Sequence, residues 1–142
     1  MIGLPSQYRF TVQNDCGEVI EVDLKYRLQK LDATGALEYG DWVDYLDQAS
    51  DTVAATAGSI LSGVLIDNTT DKYLGAEIWY AYNFDDASSI DANGLITMRL
   101  QSYYLSDTEY QEDGDGIILA SDFVITTDDT TAADIASGVI LL

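Results

Sequence analysis

An all-β domain built from antiparallel strands is the fold class this sequence predicts, and three observations predict it. Apolar residues recur at every second position in successive segments, the period of a strand with one buried face. No stretch sustains the 3.6-residue period of an amphipathic helix. The chain carries ten Tyr, two Trp and three Phe among many Thr, Val and Ile, residues that suit a pleated, half-buried surface.

The elements follow in order. In residues 6–13, Tyr8, Phe10 and Val12 take one phase and Gln7, Arg9, Thr11 and Gln13 the other. Asn14, Asp15, Cys16 and Gly17 read as a turn. Alternation resumes over 18–31, with Ile20, Val22, Leu24, Tyr26 and Leu28 opposite Glu21, Asp23, Lys25, Arg27 and Gln29. The two segments are expected to form a hairpin with one buried face. Residues 32–35 form a second turn, and 36–46 one or two short strands broken near Gly40 and Asp41. The Ala/Thr-rich stretch 51–58 fits a strand or a helical turn, and 59–66 a strand. After a turn at 67–71, residues 73–82 form a strand with Leu74, Ala76, Ile78, Tyr80 and Tyr82 on one face. Strands at 95–105 and 117–126 follow acidic loops at 84–94 and 106–116. A turn or short helix at 128–136 leads to a final strand at 138–142. About eight strands separated by turn signals predict a β-sandwich, with a jelly roll among the arrangements open to it. The core is expected to draw on Tyr8, Phe10, Val12, Ile20, Val22, Leu24, Ile78, Tyr80, Ile96, Met98, Leu100, Phe123 and Ile125.

The length of 142 residues suits one domain, residues 1–142, and no Pro/Gly/Ser-rich linker divides it. No internal repeat is read in the sequence. The formal charge is −19, from 25 acids and 6 bases. Such a surface repels phosphate backbones and anionic lipid, so neither nucleic acid nor membrane is an expected partner. Residues 1–30 are neutral: Arg9, Lys25, Arg27 and Lys30 offset Asp15, Glu18, Glu21 and Asp23. All the net negative charge lies beyond them. The four bases are therefore the expected interface residues, on a face that approaches neighbours at low electrostatic cost. The first residues lack the basic and apolar segments of a secretory signal, and no apolar run reaches the length of a membrane helix.

Catalytic chemistry is largely excluded. There is no His and one Cys, which removes Ser-His-Asp and Cys-His centres and ordinary structural zinc sites. No nucleophile-elbow, P-loop or dinucleotide-binding spacing occurs. Carboxylate pairs for glycoside hydrolysis are too common among 25 acids to single one out. The loop from Asp107 to Gly116 offers hard oxygens, with Asp113 and Asp115 as weak calcium candidates, but lacks EF-hand spacing. No cofactor is expected and no catalytic residue is assigned. Trp42, Trp79, Tyr103 and Tyr110 are candidates for a sugar-stacking platform. Cys16 reads as an incidental small residue. Asn68-Thr69-Thr70 matches a glycosylation triplet but reads better as a turn.

The stretch SGVLIDNTTDKYLGAEIWYAYNF resembles a segment of small β-rich virion proteins of tailed phages, in which an apolar strand ends in Asp-Asn-Thr-Thr and an alternating strand follows. LITMRLQSYYL, followed by Asp107, Tyr110 and Asp113-Gly114, is similar to the next part. The resemblance spans roughly residues 58–120 and carries no catalytic residue. It implies a virion structural protein made in the bacterial cytoplasm, such as a capsid decoration (cement) or minor head protein. It would be a homo-oligomer with other virion proteins as partners. The alternative is a carbohydrate- or receptor-binding sandwich of a phage tail.

Overall fold

Period-two alternation decides which side chains of each strand can share a core, but leaves open which strands lie side by side. A computed structural model supplies the pairing, and describes residues 4–70, 73–84, 94–104, 109–110, 116–123 and 134–142, without the side chains at 84, 104, 122–123 and 134–138. The described elements are all strands: β1 (Gln7–Asp15), β2 (Ile20–Leu31), β3 (Leu37–Tyr39), β4 (Val43–Leu46), β5 (Thr52–Val53) and β6 (Ser59–Ser62). There follow β7 (Ile66–Asp67), β8 (Gly75–Phe84), β9 (Leu95–Tyr104), β10 (Glu109–Tyr110), β11 (Ile117–Phe123) and β12 (Asp134–Leu141).

Two antiparallel sheets pack face to face as a β-sandwich. In the first, β9 and β1 are central; β10 and β11 pair with successive parts of β9, and β6 and β7 with successive parts of β1. In the second, β8 and β2 are central; β12 flanks β8, and β3, β4 and β5 line successive parts of β2. The inward phases of both sheets meet in one core. Tyr8, Phe10, Val12, Ile20, Val22, Leu24, Ile78, Ile96 and Met98 have no exposed surface, and Tyr80 and Leu100 are buried beside them. All eleven belong to the core expected from alternation. Ile125 and the side chain of Phe123 lie outside the described residues. Leu74, placed on the inward phase by alternation, is exposed because β8 starts only at Gly75.

The expected β1–β2 hairpin is corrected. The two strands belong to different sheets and do not pair. Residues 14–17 form an arch across the core. Asn14 and Cys16 are fully buried within it. The Asn14 amide donates to the carbonyls of Glu18 (2.6 Å) and Ala54 (3.0 Å), and its Oδ1 accepts from the Cys16 N–H (2.9 Å) and thiol (2.7 Å). Gly17 takes the positive φ, 80°, expected of it. Both arrangements bury the apolar phases of β1 and β2. An arch also gives Asn14 and Cys16 an interior to point into, which a hairpin tip would not.

The strand order contains a repetition invisible at the level of residues. The first half (β1, β2, the β3–β5 edge, the β6–β7 edge) and the second (β8, β9, the β10–β11 edge, β12) have the same pairings with the sheets exchanged. Arg27-Leu28-Gln29 and Arg99-Leu100-Gln101 occupy matching places. Gln29 and Gln101 are both buried although on the outward phase. Gly40 donates its N–H to the Leu28 carbonyl, while a Cβ on Gly116 would come within 2.5 Å of the Leu100 carbonyl. The string Arg-Leu-Gln at 27–29 and 99–101, with Glu-Tyr after a gap of eight residues in the first half and seven in the second, is too short to mark a repeat.

Candidate functional site

The outward phase of the second sheet places the residues of greatest chemical interest. On β2 this phase carries Asp23, Lys25 and Arg27; β8 sets Ala81, Trp79 and Glu77 opposite them in turn. On the far side of β8, β12 sets Val139 beside Trp79 and Leu141 beside Glu77. On the other side of β2, Asp44 faces Lys25, and Tyr39 faces Gln29. Trp42 sits in the connection between β3 and β4, so the two indoles flank β2 from opposite sides.

Ionic and ring contacts order this surface. Arg27 Nε donates to Glu77 Oε2 at 2.6 Å, and a second guanidinium nitrogen also contacts that oxygen. The guanidinium carbon stands 4.4 Å from the Tyr39 ring centre and 4.8 Å from that of Trp42. Lys25 Nζ lies 5.4 Å from the Trp79 ring centre and 3.8 Å from Asp44 Oδ1. Cations over indole and phenol faces are attracted by the ring quadrupole. Lys25, Trp42 and Trp79 line a cleft of about 350 Å³. Burial pushes the neighbouring Asp23 carboxyl above its ordinary range; Lys25 opposes the shift, and Asp47 and Asp44 add to it.

The expected four-residue aromatic platform is divided. Trp42 and Trp79 share the outer face of the second sheet, while Tyr103 and Tyr110 stack edge-on at 4.9 Å on paired strands of the first sheet. The bases are divided as well. Arg9 lies on the first sheet, donating to Gln101 Oε1 at 2.9 Å and standing 3.7 Å over the Tyr110 ring. Lys25 and Arg27 lie on the second sheet, and Lys30 is exposed on the opposite phase near the end of β2. No single face gathers all four, because β1 and β2 are not neighbours. Asp113 and Asp115 lie outside the described residues, and the described residues contain no cluster of three or more metal-ligating side chains.

Sequence reasoning overlooked Glu77 and Tyr39, the groups that fix Arg27. The signal for the site was a Trp at position 79 on the same phase as Glu77, where alternation calls for a polar residue. Compared with known proteins, the chain matches no family model, no curated protein and no solved structure.

Proposed function

We propose that this chain is a non-enzymatic structural protein of a phage particle, of the capsid-decoration or minor-head kind, that assembles through the edge of β12 away from β8. The resemblance over residues 58–120 supports the particle, and the chemistry of β12 supports assembly. From Ile135 to Leu142 the chain has no charged residue, in a protein of net charge −19. Val139 is 56% and Leu141 69% exposed. The strand pairs with β8 along one edge, and no described strand covers the other. Soluble proteins guard such edges with charge, proline or a covering segment. Two copies of so acidic a protein repel over most of their surface, and an uncharged edge lets them approach at least cost. A strand meeting its own copy across a two-fold axis pairs antiparallel, which makes one sheet continuous across two subunits.

Sedimentation of the purified protein and proteomics of purified particles test this reading. The expected result is a concentration-dependent oligomer that Val139→Lys dissociates without changing the circular dichroism, and recovery of the protein with particles. A monomer at every concentration, or absence from particles of its source, would refute it.

A further inference from the structure

Two tryptophans on the outer face of one sheet, Trp79 on β8 and Trp42 in the β3–β4 connection, with a lysine between them, call for an explanation that the uncharged edge does not supply. Trp42 is 43% exposed, and its indole is already steadied by the Arg27 guanidinium, which Glu77 holds in turn. The cleft it forms with Trp79 falls at the small end of the roughly 300–1,000 Å³ typical of small-molecule sites. The polar groups at its rim are loosely paired: the side chains of Lys25 and Asp44 are 42% and 83% exposed and 3.8 Å apart. Such a pair exchanges partners readily, since an exposed ion pair holds its members weakly.

We propose that this cleft binds neutral, hexopyranose-containing glycans. The C–H face of a pyranose is flat and apolar and stacks on an aromatic ring, while its hydroxyls require donors and acceptors at the edge. Indole faces, the Lys25 ammonium and the Asp44 carboxylate supply these together. Charge selects the class of sugar. Lys25 and Arg27 are offset locally by Asp44 and Glu77. The rest of the protein is acidic, so uronate, sialate and sulfate chains are repelled. Holding Trp42 through Arg27 lowers the ordering cost of binding. The site is on the outer face of the sheet, so it stands or falls independently of pairing at the β12 edge.

Two tryptophans give two indole N–H signals in a ¹H–¹⁵N spectrum of the full chain. The probes are cellohexaose, maltohexaose and lacto-N-tetraose at millimolar concentration, with a hyaluronate hexasaccharide as acidic control. Both indole signals should move saturably with at least one neutral probe and stay still with the control. Trp42→Ala should weaken binding roughly ten-fold or more, the scale of a lost aromatic contact. Lys25→Gln should weaken it less, and Leu31→Ala, near the end of β2 and outside the cleft lining, should leave it unchanged. The remaining amide signals report whether each variant is folded; if Trp42→Ala is not, Lys25→Gln decides. Indoles unmoved by every neutral probe, movement of only one indole, response to the acidic control alone, or full affinity in a folded Trp42→Ala or, failing that, in Lys25→Gln would each overturn the proposal.

Discussion

A single tyrosine ties the two sheets together at their open side. Tyr45 lies on β4 of the second sheet, yet its hydroxyl accepts from the Phe10 N–H of the first sheet at 3.2 Å and donates to the Val64 carbonyl at 2.5 Å. Its ring meets Phe10 and Tyr26 edge-on at centre distances of 5.5 and 5.6 Å. Burial pushes its hydroxyl well above the ordinary tyrosine range, with the Phe10 N–H partly opposing. The ring passes over Gly63, where an added Cβ would come 2.1 Å from it. Tyr45→Phe should therefore cost about 1–3 kcal/mol in denaturant unfolding, because the Phe10 N–H loses its acceptor. Gly63→Ala should cost roughly 1–3 kcal/mol by overpacking, and much less in a Tyr45→Ala background. Asp23 tests electrostatics at the same scale. Its folded pKa is raised by burial. The folded state thus binds its proton more tightly than the unfolded state, and stability from this group falls as pH rises through the folded value. Asp23→Asn should raise the melting temperature at pH 7, and the gain should vanish below the pKa of the unfolded chain. None of these roles was legible in sequence: Tyr45 is one Tyr among ten, and its partners are 35 and 19 positions away.

At the scale of elements, alternation was the reliable signal. It set the inward phase of β1, β2, β8 and β9: Tyr8, Phe10, Val12, Ile20, Val22, Leu24, Ile78, Tyr80, Ile96, Met98 and Leu100 are buried there, Tyr26 and Leu28 are half-buried, and Leu74 is exposed. Leu24→Ala should cost on the order of 2–5 kcal/mol, whereas Leu31→Ala, near the end of β2 and 53% exposed, should cost less than about 0.5 kcal/mol. Chemical denaturation of both variants checks the phase. The arch between β1 and β2 was misread because a turn signal reports only that the chain reverses. Asn14 carries the distinction: its buried amide donates to the Glu18 carbonyl beyond the arch and to the Ala54 carbonyl after β5, so Asn14→Ala should destabilise by about 1–3 kcal/mol or more. An exposed hairpin tip would hardly respond. The edges were read less well. The strand expected at 59–66 divides into β6 and β7, between which Gly63 and Val64 meet Tyr45. The final strand starts at Asp134 rather than 138.

For the molecule as a whole, charge and topology dominate. With a net charge of −19, folding brings like charges together, and dissolved salt screens them. The melting temperature should rise from low salt to moderate NaCl, and oligomers formed through β12 should strengthen over the same range. A fall in both would show that attractive pairs such as Arg27–Glu77 outweigh the general repulsion. The outer faces of the two sheets each place an arginine beside a tyrosine, Arg27 with Tyr39 and Arg9 with Tyr110, although these arginines sit on β2 and β1, which are not counterparts in the repeated strand order. What sequence determined by itself was the all-β class, the inward phase of the long strands and the lack of the histidine that Ser-His-Asp and Cys-His centres need. Each of these depends on composition or on neighbours two residues apart. Tertiary structure alone decided that β1 and β2 part company, that the four bases and four aromatics divide between opposite faces, and that Trp42 and Trp79 share one. Those outcomes depend on which strand pairs with which, and the central pairs join residues as far apart as Tyr8 and Ser102. A strand's alternation is equally satisfied by any partner that buries the same phase.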